Sequence, residues 1–528
     1  MKATKYLYIS IFILAGIVAP LSSCQKVLDQ NPTDQLSSGT FWKTANDFKL
    51  GLAACYNTTQ DYYLSSGIQD LDGISDNGIS VFSYNNEQLI NQGITVSSHA
   101  TDNWYIWGYQ RLATYNIFLA NLNKYTGNDM SQANKVNLEA QVKLLRAMEY
   151  YRLWVFYGAV PLVTEPLTLE TQMVPKSDAE TIFKQVVADC DFAIANLPDQ
   201  DFWGSQGHFT KSAALMVKAR AYLYHGFDAA GKAVVGDMNT VATLTSQIIN
   251  SGKYSLGKYY RGLFSHALGQ QENNPEYLFA AFYLAPNNSK YGLWGFLIST
   301  MQFYWQSVHP LPSLLDAYEF SNGDPYNPQD PRVDKKYLFR NRDPRMAQTV
   351  CRDTVHWEDG SIDLIGAAKT AYIPYLYWKS CDKDEVVANG GVNTQKTGVP
   401  NTAYVPLMRY AEVLLTHAEA VNEVGGPNGQ VYQDVNSVRA RAGMPPLPAG
   451  LSQDQMRQRI RNERRVELAF EGFRYFDIKR WRIAGQVLNG TYDGLVNRVF
   501  TSPKNYLYPL PEQEIHVNTA LKQNPDYQ

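Results

Sequence analysis

Residues 138–151 read Leu-Glu-Ala-Gln-Val-Lys-Leu-Leu-Arg-Ala-Met-Glu-Tyr-Tyr. Leu138, Val142, Leu145, Met148 and Tyr151 recur at steps of 4, 3, 3 and 3, which lays them along one face of an α-helix. The same spacing returns in Ile182, Val186, Cys190, Ala193 and Leu197, and again in Ala214, Val217, Ala221 and Tyr224. Further helices are expected near 42–62, 104–125, 240–251 and 405–424. Ser177 with Glu180 three residues on has the pattern of a capping box for a helix over 178–197. Ala147-x-x-Tyr150 and Ala219-x-x-Tyr222 stand 72 residues apart, about two periods of a roughly 34–36-residue helix-turn-helix repeat. Ala418-x-x-Val421 is a fainter third. A small residue lets two helices approach and the aromatic fills the groove, so tetratricopeptide-like pairs are one reading. Helices paired without a repeat are the other.

Outward from these helices the chain changes character. The N-terminus has Lys2 and Lys5, then an apolar run from Leu7 to Ala19 broken by Ser10 and Gly16. A membrane-spanning helix needs about 20 residues, so this run reads as the core of a signal peptide. Leu21-Ser22-Ser23-Cys24 follows, resembling a bacterial lipobox. Residues 1–23 would be removed and Cys24 would carry the lipid, with several acyl chains holding a soluble body at the membrane. Residues 24–251 form the N-terminal helical region. Residues 252–403 are rich in Gly, Pro, Asn and Asp and read as a loop-rich subdomain with short strands around Tyr277–Leu284, Trp294–Trp305 and Tyr372–Lys379. Residues 404–528 are helical again. The fold class is therefore mainly α, with an irregular, loop-rich subdomain in the C-terminal half.

Composition narrows the function. Of 528 residues, 45% are hydrophobic and 18% charged, with a net charge of −3. A sizeable core can form, and no basic surplus points to nucleic acid. Tyr 36, Phe 22 and Trp 10 are a high aromatic content, suited to a core, an interface or a sugar platform. The eight histidines come no closer than 17 residues, so no local metal motif exists. His417 lies on the stripe Leu407, Tyr410, Leu414, Val421 and reads as a core histidine. No GxGxxG, Walker A or GxSxG motif occurs. No cofactor and no metal is expected. Asp324, Asp330, Asp334 and Asp343 could supply oxygen ligands to calcium, but lack EF-hand spacing; turn formation is the simpler account. Cys190 reads as a small core residue. Cys351 and Cys381 could pair in an exported protein, and sequence leaves that open.

The densest charge is Arg461-Asn-Glu-Arg-Arg-Val-Glu-Leu-Ala-Phe-Glu-Gly-Phe-Arg-Tyr-Phe-Asp-Ile-Lys-Arg-Trp481. Glu467 and Glu471, four apart, would share a helix face and superficially suit a glycosidase, whose carboxylates stand about 5–9.5 Å apart. Opposite charges at i,i+3 (Arg464–Glu467, Glu471–Arg474, Arg474–Asp477, Asp477–Arg480) read instead as helix-surface ion pairs. They would keep both carboxylates ionised, the wrong state for a general acid.

An ordered set of motifs is similar to the SusD/RagB family of Bacteroidetes outer-membrane lipoproteins. Leu28-Asp29-Gln30-Asn31-Pro32 follows the lipobox, then Phe41-Trp42-Lys43-Thr44 and Tyr109-x-x-Leu112-x-x-x-Asn116. Leu145-Arg146-Ala147 with Tyr150-Tyr151, Tyr157-Gly158 and Val160-Pro161-Leu162-Val163 is its most recognisable N-terminal segment. Asn341-Arg342-Asp343-Pro344-Arg345 resembles its "RDPR" loop, and Tyr410-Ala411-Glu412 through Asn422-Glu423 its C-terminal repeat helix. Glu463-Arg464-Arg465, Glu467, Phe470-Glu471-Gly472, Arg474 and Asp477 match its charged signature helix. Tyr508-Pro509-Leu510-Pro511, Glu514 and Gln523-Asn524-Pro525 match its ending. The resemblance implies a SusD-like α-α superhelix, no catalysis, and a place on the cell surface. It also implies glycan capture for a SusC-like TonB-dependent transporter in the outer membrane.

Neutral sugars offer C–H faces to aromatic rings and hydroxyls to polar side chains. Two stretches outside strong helical stripes supply both. Asp76, Asn77 and Tyr84 lie in 72–91; Trp294, Gln302, Tyr304 and Trp305 lie in 294–305. Tyr84, Trp294, Tyr304 and Trp305 are expected to stack, and Asp76, Asn77 and Gln302 to hydrogen-bond. The competing classes are a peptide- or protein-binding helical scaffold and a glycoside hydrolase.

Overall fold

An amphipathic helix cannot bury its apolar stripe alone, so each helix must lie against another element. The computed structural model describes residues 41–64, 68–80, 90–91, 93–201, 207–265, 268, 273–283, 308–334, 336–357, 359–365, 374–392, 404–492 and 496–528. The elements that position the site are, in chain order, α1 (Ala45–Leu64), α2 (Ile68–Gly73), β1 (Gly78–Ser80), α3 (Asp102–Lys124), α4 (Gln132–Tyr157), α5 (Ala179–Asn196), α6 (Lys211–His225) and α7 (Val235–Asn250). They continue with β2 (Tyr277–Ala281), β3 (Val308–Pro310), α8 (Pro312–Ala317), α9 (Pro344–Thr349), β4 (Val405–Arg409), α10 (Tyr410–Gly425), α11 (Gly429–Arg441), α12 (Gln453–Glu467) and α13 (Arg474–Arg480).

The helices form one continuous stack. α3 packs on α4, α4 on α5, α5 on α6, α6 on α7, and α7 on α10, which in turn packs on α11 and α12. The pair α10/α11 thus extends the N-terminal array across an insertion of more than a hundred residues. Ala147, Ala219 and Ala418 sit on α4, α6 and α10 and are all fully buried. That is the position where a larger side chain would push neighbouring helices apart. The faint third echo in the sequence therefore marks the next helix pair of the same array.

Local chemistry sets the helix ends. Ser131 caps α4 by accepting the N–H of Asn134, and the chain leaves it at Gly158, whose φ of 72° suits a residue without Cβ. α5 departs from the expected capping box. Its cap is Asp178, which accepts the N–H of Thr181, because Ser177 is held in a short strand opposite Val160. Glu180 turns away to Lys184 and His225. The helix expected over 405–424 begins only at Tyr410. Residues 405–409 are β4, antiparallel to β2 with Val405 opposite Ala281 and Arg409 opposite Tyr277. Pro406 lacks the N–H that a helix interior needs.

His417 is a core histidine: buried, with Nδ1 2.5 Å from Asp434 Oδ2 and Nε2 3.0 Å from Ser246 Oγ. In the loop-rich region Asp330 and Asp334 accept backbone N–H groups two residues on, at 2.9 Å each, as Asx turns do. Arg332 bridges Asp324 and Asp330, and Asp343 caps α9. Cys351 and Cys381 are free thiols in a small core with Trp357 and Trp378. Cys190 is buried among the N-terminal helices. Among the described residues no helix is long and apolar enough to cross a membrane.

Candidate functional site

The charged segment is not one helix with surface pairs. α12 ends at Glu467, Phe470 and Gly472 take φ of 59° and 77°, and α13 starts at Arg474. The turn carries the charges inward, where desolvation demands fixed partners. Of the expected i,i+3 pairs, Asp477–Arg480 forms at 2.8 Å. Arg464 reaches instead to Asp477 at 3.2 Å, and Arg474 to Asp76 at 2.7 Å. Arg409 of β4, 1% exposed, donates to Glu276 at 2.8 Å, Glu467 at 2.6 Å and Glu471 at 2.7 Å. Arg345, at the start of α9, donates to Glu463 at 2.7 Å and Glu467 at 2.9 Å. Arg441 of α11 also meets Glu467. The network thereby ties four separate stretches of chain to the end of α12.

This arrangement removes the glycosidase reading of Glu467 and Glu471. Burial by itself would raise the Glu467 pKa, but Arg441, Arg409 and Arg345 outweigh it and hold the carboxyl well below its ordinary range. For Glu471 burial is likewise overcome, by Arg409 and Lys379. A general acid needs the opposite shift. The ionised state expected from sequence is present, but its cause is tertiary rather than the neighbours on one helix.

Beyond α13 the network reaches the segment 72–80, and here two candidate ligand residues are reassigned. Asp76 is 4% exposed and Asn77 fully buried. Asp76 accepts from Arg474 Nε and Nη2 at 2.7 and 2.8 Å and lies 3.1 Å from Arg465. Burial opposes ionisation of Asp76, but the two guanidiniums hold its pKa below the usual carboxylate range. Asn77 donates to Asp72 at 2.7 Å and accepts from Arg465 Nε at 2.8 Å. Arg498 donates to the carbonyls of Gly73 and Gly78 at 3.0 and 2.5 Å. The polar atoms of Asp76 and Asn77 hold the fold together and face away from solvent, so they are not surface ligand contacts.

What they hold is the ribbon from which both candidate ligand stretches depart. β1 pairs antiparallel with β3: Gly78 opposite Pro310, Ile79 opposite His309, Ser80 opposite Val308. The chain leaves β1 at Ser80 toward residues 81–89 and enters β3 at Val308 from residues 284–307, so the two stretches attach at one end of one ribbon. Leu311 N–H donates to Asn77 O at 2.8 Å, Ser313 Oγ to Asp76 O at 2.5 Å, and His309 Nδ1 to Tyr375 O at 2.9 Å. Gly78 suits a close approach: a Cβ there would stand 3.2 Å from His309 O and from the Phe470 ring, which would have to give by a few tenths of an ångström. These contacts fasten the ribbon to the charged segment, and a binding site needs such support from its scaffold.

Tyr84, Trp294, Gln302, Tyr304, Trp305 and Cys24 lie outside the described residues. Arg465, Arg474 and Arg498, which clamp the ribbon root, were not singled out as site residues. The charge density of 461–482 was the available signal for the first two; Arg498 carried none. Among the described residues no cluster of three or more His, Cys, Asp or Glu is placed to hold a metal ion.

Comparison with known proteins places this geometry. Residues 275–527 match the model of the SusD family, and residues 27–223 match a second model described as starch-binding associating with outer membrane. SusD-like protein P2 of Formosa agariphila is 28% identical over 539 residues, covering 95% of this chain and 96% of its own. The starch-binding protein SusD of Bacteroides thetaiotaomicron is 23% identical, covering 99% of this chain and 100% of its own. A SusD-like carbohydrate binding protein of Bacteroides fragilis superposes with a TM-score of 0.77 at 25% identity, covering 92% of this chain and all of its own.

Proposed function

Because the chain belongs to the SusD family, we propose that it is a cell-surface lipoprotein that captures a glycan and delivers it to a SusC-like TonB-dependent transporter, without performing chemistry on it. The observation that carries the binding part is the pairing of Ser80 with Val308. It gathers two aromatic-rich and amide-rich stretches onto one clamped base. On this reading Tyr84, Trp294, Tyr304 and Trp305 stack on sugar faces, and Gln302 hydrogen-bonds a hydroxyl. Flat rings on a common root can hold a chain of pyranoses without enclosing it, and multivalent engagement then supplies avidity. The carbohydrate binding printed for the Bacteroides fragilis structure and the starch binding printed for the Bacteroides thetaiotaomicron relative support the ligand class. Cys24 is the lipid-bearing residue; residues 1–23 are the leader, and 252–403 is the subdomain that contributes most ligand contacts.

The test is a polysaccharide pull-down and glycan array with wild type, Trp294→Ala and Trp305→Ala. Each truncated ring should weaken binding about two- to tenfold, as loss of one aromatic contact does, with unchanged circular dichroism. Capture of peptides in place of glycans would favour the scaffold reading. New reducing ends would restore the hydrolase. Mass spectrometry of the N-terminal peptide should find acylated Cys24, and a purification under mild detergent should retain a TonB-dependent barrel.

A further inference from the structure

A cleft of about 110 Å³ lies between α2, α3, α4, α6, the start of β4 and the turn into α13. Part-exposed rings of Tyr151, Tyr224, Phe473 and Phe476 line it. Beneath them are charged groups, with Arg152 and Glu471 also in the lining. Arg220 forks onto Glu412 at 2.7 and 2.6 Å, and Asp477 takes Arg480 at 2.9 Å and Arg464 at 3.2 Å. The Arg220 guanidinium lies 5.1 Å from the centre of the Phe473 ring.

Its volume is below the roughly 300–1,000 Å³ of drug-sized sites, which limits the occupant to about one small ring with the remainder in solvent. The lining chooses among occupants. A greasy segment would strip water from charged groups that stay paired but lose their remaining hydration, which costs free energy. An anion would compete with Glu412 and Asp477 for their arginines. A neutral polyol with apolar faces meets both demands: rings take its C–H surface, and the paired guanidinium and carboxylate groups donate to and accept from its hydroxyls without losing their partners.

We propose that this cleft is a second carbohydrate site, taking one neutral pyranose or the end of a short neutral oligosaccharide. It is independent of the loops on the β1/β3 ribbon, and does not rest on their binding a glycan. Its residues come from helices of the repeat array and from the charged segment, which also pack together through Tyr475, Ile478 and the Phe156–Phe476 ring contact.

Saturation-transfer NMR on the full-length protein, in a detergent without a sugar headgroup, tests it with glucose, galactose, mannose and xylose, and with glucuronate as the anionic probe. At least one neutral sugar should receive saturation. That signal should persist in the Trp294→Ala/Trp305→Ala double variant and fall about fivefold in Phe473→Leu and in Tyr224→Leu. A crystal of the unmodified protein soaked in that sugar should show it between Tyr224 and Phe473, which decides the matter if either cleft variant fails to fold. No signal from any neutral sugar would overturn the proposal. So would loss of the signal in the loop double variant, a stronger response to glucuronate, or density elsewhere only. Loss in the loop double variant would leave the loop site standing.

Discussion

Replacing Asp76 by asparagine changes one charge and almost no volume, at the point where the charged segment grips the ribbon root. In the native protein Asp76 faces Arg474 Nε and Nη2 at 2.7 and 2.8 Å and Arg465 at 3.1 Å, with about a tenth of each side chain exposed. Its pKa lies below that of an ordinary carboxyl because both guanidiniums outweigh its burial. Breaking such a pair from one side costs about 3–5 kcal/mol, most of it from the charge left without a partner. Asparagine keeps one acceptor oxygen for Arg474, so the lower end, about 3 kcal/mol, is expected. That is roughly a hundredfold in the folding equilibrium. Urea unfolding followed by tryptophan fluorescence should show an earlier midpoint with unchanged slope. Replacing both partners together, Asp76→Leu with Arg474→Met, should recover part of the loss, because Arg474 then leaves no buried charge, while Arg465 still loses its carboxylate. The sign with pH is fixed as well. A depressed carboxyl pKa contributes stability above the unfolded value, about 3.9, and loses it as pH falls toward the folded value. The gap between wild type and variant should therefore narrow below about pH 4. The reasoning fails if Asp76→Asn unfolds like wild type while glycan affinity drops tenfold or more, for that is the behaviour of a ligand contact.

Lys479 is buried with its ammonium donating to Val155 O at 3.2 Å, and burial lowers its pKa to about 7. A lysine with a depressed folded pKa penalises the native state below that value and is relieved as pH rises, here by about 1.4 kcal/mol between pH 6 and 8. Asp72, pushed up to about 7 by burial, runs the opposite way, so the slope to measure is the difference between wild type and Lys479→Met; an unchanged difference across that window would refute it. Ala219→Leu should destabilise by about 1–3 kcal/mol through overpacking of α6 against its neighbours, whereas Ala230→Leu on the exposed turn should stay within about 0.5 kcal/mol; thermal melts of both decide whether small residues set the helix spacing.

Helix existence was legible wherever an apolar stripe ran unbroken, as in α4, α5 and α6. It failed at 405–409, where a stripe that includes Leu407 was read through Pro406 into a strand paired with β2. It failed again in the charged segment, because i,i+3 spacing describes only a straight helix, and the turn at Phe470 and Gly472 sends Glu467, Glu471 and Arg474 to partners far along the chain. Asp76 and Asn77 looked like ligand residues because loop polarity is the visible signal; burial is not.

The sequence by itself determined the helical class, the apolar stripes of α4, α5 and α6, and the family to which the ordered motifs belong. These depend on periodicity and on residues close in the chain, which a linear text records. Only the tertiary structure decided which charges are paired, that two distant stretches attach at Ser80 and Val308, and that a ring-lined cleft opens between α6 and α13. Each of those depends on contacts beyond one helix, as between Arg409 and Glu467 or between Arg474 and Asp76, and desolvation selects such partners only after the helices have packed.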